Sequence, residues 1–176
     1  YLIDEIRRDE DPTTVERMLR LDILSYISAS QLGAARLLDF GCGSGASSMV
    51  LARLFPNVEI VGVELNPKHI ETARKRAIHY GVADRVSFLQ SPTPKTLPSD
   101  LGDFDCILFC AVFEHLLPAE RPAVLRLLWD HLKVSGCMFL NDTPYRWFPV
   151  ETHTTSLPLI NYLPDRLAFA AARKLS

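Results

Sequence analysis

Leu37-Leu38-Asp39-Phe40-Gly41-Cys42-Gly43-Ser44-Gly45 sets an apolar run, a carboxylate and three glycines in succession. Arg36 to Phe40 is short, apolar and closed by glycine, which predicts a buried strand. Ser47 to Phe55 reads as a helix ended by Pro56. Glycines between the two permit positive φ and let a ligand approach bare backbone. In open α/β sheets such a turn lies at the carboxyl edge, where ligands bind.

The same alternation continues outward. Upstream, Thr13 as N-cap with Glu16 three residues on fits a capping box. Val15, Met18, Leu19, Ile23, Tyr26 and Ile27 then recur at helical spacing to about Ser28. Downstream, Val58 to Val63 is a second strand, and Asn66-Pro67 caps a helix that Gly81 stops. Arg85 to Gln90 is a third strand, followed by a Pro/Ser/Thr-rich loop to Asp100. Phe104 to Cys110 is a continuous apolar run, as expected of a strand covered on both faces. Pro118 or Pro122 begins a helix through Leu132, and Cys137 to Asn141 is a fifth strand. From Thr143 onward Pro, Thr and aromatic residues dominate, with a helix near Pro164. That segment reads as an irregular cap over the carboxyl edge of the sheet.

The glycine pattern alone does not name its ligand, because Gly41, Gly43 and Ala46 also satisfy the dinucleotide motif. Asp39 separates the readings. A pyrophosphate at this helix N-terminus would be repelled by a carboxylate two residues before the first glycine, whereas a cationic, phosphate-free ligand would be held by it. Glu64 closes the second strand about 20 positions beyond the loop, where an acidic residue commonly accepts from ribose hydroxyls. A nucleoside is therefore expected.

Bulk properties narrow the class. The chain has 176 residues, 48% hydrophobic and 23% charged, which excludes disorder as the main state. A formal charge of −2 leaves no basic footprint for nucleic acid. No apolar run approaches the roughly 18 residues of a membrane-spanning helix. Cys42, Cys106, Cys110 and Cys137 lack metal-ligand spacing, so no metal is expected and buried free thiols are. The chain starts at Tyr1 without Met and without a visible signal peptide, which reads as a trimmed piece of a cytoplasmic protein.

Taken in order, Leu37 to Gly45, Val63-Glu64-Leu65-Asn66-Pro67, Phe104-Asp105-Cys106-Ile107 and Glu114-His115-Leu116 resemble the successive motifs of class I S-adenosylmethionine-dependent methyltransferases. Leu132-Lys133-Val134-Ser135-Gly136 resembles that family's turn before the fifth strand. The resemblance runs from Arg36 to Asp142. It implies S-adenosyl-L-methionine as cofactor, with Asp39, Gly41, Gly43 and Gly45 around the methionine moiety, Glu64 on the ribose and Leu65 against adenine. Backbone at Cys110 and Ala111 would face the methionine amino group, and either Arg17 or Arg20 its carboxylate. The family's acidic adenine contact is replaced by Pro92, leaving backbone carbonyls or the hydroxyls of Ser91 or Thr93 for that role. The family's terminal strand hairpin has no counterpart after Pro164.

Methyl transfer needs a general base only when the nucleophile is protonated. His115 is a candidate base, with loop orientation as its alternative role, and His153 is a second. His69, His79 and His131 are expected at the surface. Tyr145, Trp147 and Phe148 either wall an acceptor pocket or cover a sheet edge.

The expected fold is α/β, a doubly wound, mainly parallel Rossmann-like methyltransferase sheet with C-terminal strands missing. Its parts are a helical segment 1–35, a cofactor-binding core 36–142 and a cap or substrate segment 143–176. The expected function is methyl transfer to a small-molecule, sugar-like or lipid-linked acceptor, with oxygen favoured. A nicotinamide-dependent oxidoreductase and a non-catalytic cofactor-binding scaffold are the alternatives. The oligomeric state is left open.

Overall fold

A computed structural model describes residues 11–93, 95–141, 148–151 and 155–175. Contacts divide the chain into two compact units, the boundary falling between Asn141 and Asp142.

In the first unit five parallel strands form one sheet in the order β3-β2-β1-β4-β5. They are β1 Arg36–Phe40, β2 Glu59–Glu64, β3 Val86–Gln90, β4 Phe104–Cys110 and β5 Leu132–Asn141. Alternation along each strand sends neighbours to opposite faces. Leu37, Ile60, Cys106 and Leu108 join one core with Leu19 and Ile23 of α1 (Thr13–Leu24), Leu32 of α2 (Ala29–Gly33), Met49 of α3 (Ala46–Leu54) and Ala73 of α4 (Pro67–His79). Leu38, Val61, Ile107 and Phe109 join the other with Val124 and Leu128 of α5 (Arg121–Trp129). Because both faces are covered, the central strands are apolar throughout.

The strand order reverses at β1. The chain goes from β1 outward to β2 and β3, then returns to lay β4 on the other side of β1. The carboxyl ends of β1 and β4 therefore flank a topological switch point, the position where open α/β sheets bind ligands.

Asn66 accepts the Lys68 N–H at 3.0 Å and caps α4, with Pro67 as its first residue. The first helix differs from expectation. Thr13 is its first residue rather than its cap, and Asp11 accepts both the Thr13 N–H and hydroxyl. The capping box lies at Ser28 and Gln31, whose reciprocal bonds start α2 and end the helical run early. Tyr26, in the intervening turn, is consequently largely exposed, its ring meeting only Phe139 among the described aromatic rings, at 6.2 Å between centroids.

The turn expected before the fifth strand is instead a bulge within β5. Phe104 pairs with Leu132 and Cys106 with Cys137, so Asp105 alone opposes Lys133 to Gly136. Ser135 takes φ +66°, and Lys133 Nζ reaches the Asp105 carboxylate at 2.9 Å.

The second unit contributes a short 3₁₀ turn, Ile160–Tyr162, and α6 (Asp165–Leu175), which begins just after Pro164. Among the described residues no helix is long and apolar enough to cross a membrane.

Candidate functional site

The loop after β1 is shaped by close approach. The Val63 carbonyl accepts N–H bonds from Gly41 at 2.8 Å and Cys42 at 3.2 Å, turning the chain sharply off the strand end. Gly41 has φ +74°, and a Cβ there would run into both γ carbons of Val112, the residue two beyond β4. Gly45, at φ +82°, starts α3, and a Cβ on it would stand 3.0 Å from Phe88 and 3.1 Å from Ala73. Side chains at either position would collide with these neighbours and strain the backbone.

Two carboxylates meet this loop. Asp39 is 2% exposed, and its Oδ2 accepts the Ser48 hydroxyl at 2.5 Å. Burial raises its pKa to about 6, the nearby Glu64 charge adds to the rise, and Ser48 opposes it. Glu64 is held differently. Its Oε2 accepts the Gly43 N–H at 3.1 Å, and its Oε1 accepts those of Leu65 and Asn66, both at 2.9 Å. Three backbone donors fix its orientation and leave lone-pair capacity for a hydroxyl donor. Arg76 of α4 steadies the loop from the side, donating from Nη1 to the Ser44 carbonyl at 2.9 Å and hydroxyl at 2.8 Å.

Leu65 is 44% exposed beside Glu64, an apolar surface open to a flat ligand. Ser91 is buried; its N–H donates to the Glu64 carbonyl, and its hydroxyl turns inward to the carbonyls of Thr93 and Thr96. The Thr93 hydroxyl pairs with that of Thr96 at 2.8 Å, and Pro92 is exposed. The polar groups of this loop thus satisfy one another, leaving backbone as the stronger source of an adenine contact. At the end of β4, Cys110 is half-buried and Ala111 adopts φ +52°, its N–H donating to the Asn141 carbonyl at 3.0 Å. A non-glycine residue in that region is strained, and such strain gathers at functional sites.

The histidines separate. His115 lies in the 3₁₀ turn Phe113–His115 with its side chain 66% exposed, and Nε2 is 3.9 Å from Glu114 Oε1. His153, Tyr145 and Trp147 lie outside the described residues, and Phe148 is exposed. His79 is exposed, His69 and His131 are partly exposed, and His131 Nδ1 is 2.9 Å from the Gly102 carbonyl. Arg20 pairs with Glu16 on the exposed face of α1, and Arg17 is also exposed.

Three participants were not singled out from sequence. Ser48 and Arg76 reach the loop from helices 9 and 32 residues away in the pairs they form, and no local pattern signals either. Glu114 had a signal, its place beside His115, but the carboxylate rather than the imidazole is the buried partner.

Residues 37–136 match the model of a family described as a methyltransferase domain. A ubiquinone biosynthesis O-methyltransferase from Xanthomonas euvesicatoria is 30% identical over 125 residues, covering 69% of this chain and 50% of that protein. The structure of PKMT2 from Rickettsia typhi in complex with AdoHcy is similar at 26% identity and a TM-score of 0.56, covering 62% of this chain and 21% of that one. StiE O-MT is similar at 25% identity and a TM-score of 0.60, over 70% of this chain and 42% of that one. Among the first curated relatives, the chain spans from 20% to 50% of their length.

Proposed function

The chain belongs to the methyltransferase-domain family, whose methyl donor is S-adenosylmethionine, and from that premise we propose that it methylates a small-molecule, sugar-like or lipid-linked acceptor at oxygen. The observation that carries the reading is the buried Asp39 directly beneath the glycine loop, with Glu64 bound to Gly43 beside it. Two carboxylates at one helix N-terminus oppose a pyrophosphate and favour a ligand with a cationic ammonium and a ribose. The family match sets the nicotinamide alternative aside.

When bound, the donor supplies an electrophilic methyl group on a positively charged sulfur. Asp39, Gly41, Gly43 and Gly45 hold its methionine end, Glu64 accepts from the ribose, and Leu65 packs on adenine. Ser91 and Thr93 contribute through their backbone, and the backbone at Cys110 and the strained Ala111 faces the amino group. Positioning of donor and acceptor can supply about 7–11 kcal/mol of the barrier. A hydroxyl acceptor also has a proton to lose, and His115 and His153 are the candidate bases among the histidines. The preference for oxygen is supported by the O-methyltransferases among the relatives. Free thiols at all four cysteines fit a reducing compartment such as the cytoplasm.

Titration calorimetry with S-adenosylhomocysteine and with NAD tests the cofactor assignment. Binding of the first in the micromolar range is expected, and heat with NAD alone would overturn the reading. A labelled-methyl screen over phenols, sugars and amines then tests the acceptor class.

A further inference from the structure

The carboxylate of Glu114 is out of place by ordinary rules. Its side chain is 11% exposed, and neither oxygen touches water or has a hydrogen-bond partner among the described residues. Its one ion-pair contact is His115 Nε2 at 3.9 Å, beyond hydrogen-bond reach. Buried polar groups are normally satisfied, and a bare carboxylate is among the least tolerated exceptions.

The surroundings show that the fold does not place it by accident. Phe113, just before it, stacks edge-on against Phe109 of β4 with ring centroids 5.9 Å apart. The Arg121 guanidinium lies 4.6 Å over the Phe113 ring and donates from Nε to the Leu116 carbonyl at 3.2 Å. Leu116 is buried in the core on that side of the sheet. The turn is therefore clamped on both sides of Glu114, and Arg121, which reaches the turn from α5, donates to Leu116. The turn also follows Val112, whose γ carbons stand against Gly41 of the cofactor loop. Glu114 thus sits at the switch point, two residues from the wall of the cradle.

We infer that Glu114 is the general base of the reaction, its missing hydrogen-bond donor being the acceptor's own hydroxyl. This deepens the proposed methyl transfer and rests on it. The acceptor O–H donates to a Glu114 oxygen. As its oxygen lone pair forms the bond to the methyl carbon, the carbon–sulfur bond breaks with its pair going to sulfur, and the proton passes to the carboxylate. That proton returns to water when product leaves. His115, exposed and 3.9 Å away, acts through Glu114 as a positioning residue.

The test compares the wild-type chain with Glu114→Gln, using S-adenosylhomocysteine for binding and catechol and benzylamine as methyl-acceptor probes. In thermal unfolding with saturating S-adenosylhomocysteine, the variant is expected to match or exceed the wild type by about 2–4 °C, since a neutral amide replaces a bare buried charge. A fall of about 4 °C or more would make the carboxylate structural and overturn the inference. Transfer to catechol is expected to drop by about 100-fold or more, with S-adenosylhomocysteine affinity kept within about threefold. Retained turnover, an equal loss of binding, or transfer to benzylamine in place of catechol would overturn it. If the wild type itself fails to bind S-adenosylhomocysteine, the broader proposal fails. If it binds and only the variant comparison disagrees, Glu114 alone is misassigned, and when neither probe is methylated the thermal comparison decides.

Discussion

The Ser48 hydroxyl donates to Asp39 Oδ2 at 2.5 Å with both residues shut away from solvent. The hydroxyl and backbone N–H of Ser48 together offset only part of what burial imposes on this carboxylate, and the pKa of Asp39 stands at about 6 against an ordinary 3.8. The native state therefore binds this proton more tightly than the unfolded chain does. The sign follows: below about pH 4 the group costs nothing, and the cost grows as pH rises, complete above about pH 6. A shift of this size corresponds to about 3 kcal/mol at pH 7. Asp39→Asn keeps an acceptor for Ser48 and removes the charge. It is expected to raise the melting temperature at pH 7 by several degrees, flatten the fall in stability between pH 4 and 6, and lose S-adenosylhomocysteine binding. Calorimetric melts across that range check all three.

The same proton sets a pH dependence for binding. S-adenosylhomocysteine affinity is expected to be level above about pH 6 and to fall toward tenfold per pH unit below it, as Asp39 becomes neutral. Isothermal titrations from pH 5 to 8 measure the profile, and an affinity that stays level down to pH 5 would show that the Asp39 charge does not hold the ligand.

Much of this site was legible because it is local. Asp39 and the glycines follow one another along the chain, and Glu64 closes the next strand, so order and spacing sufficed. The Asn66-Pro67 cap was equally plain, because a helix start uses adjacent residues. What escaped was made by tertiary juxtaposition. Ser48 meets Asp39 only once α3 packs on β1, and Arg76 meets Ser44 only once α4 lies beside the loop. At the first helix two capping patterns competed. Ser28 and Gln31 formed the reciprocal pair, whereas Thr13 was claimed by Asp11. The bulge in β5 was read as a turn because its residues do turn, with Ser135 at positive φ, but strand pairing resumes on both sides.

Gly41 and Val112 give a prediction in which two effects separate. Gly41→Ala meets both the Val112 γ carbons and a φ of +74°. Together these should destabilise the fold by about 2–4 kcal/mol. Shortening the obstacle in Gly41→Ala/Val112→Ala relieves the collision and leaves the backbone strain, about 1–2 kcal/mol. A double-mutant cycle from urea melts reads the difference. Strict additivity of the two substitutions would show that the side chains do not meet.

Arg76 tests whether loop rigidity, apart from direct contact, sets cofactor affinity. Its Nη1 donates to both the carbonyl and the hydroxyl of Ser44, the residue between Gly43 and Gly45. A charged donor to a partly buried acceptor contributes about 1.5–3 kcal/mol, and here that energy holds the loop in its binding geometry before any ligand arrives. Arg76→Met keeps the apolar stem and removes both bonds. It should weaken S-adenosylhomocysteine by about tenfold, the ordering of the loop now being drawn from binding energy. Because the saturated site is ordered again, turnover at high donor concentration should change little while the KM for donor rises in step with the dissociation constant. Arg76→Lys restores one bond and the charge, so it should recover part of the loss. A loss of turnover at saturating donor would instead place Arg76 in the chemistry, and equal affinity in all three proteins would show that the loop holds its shape without it.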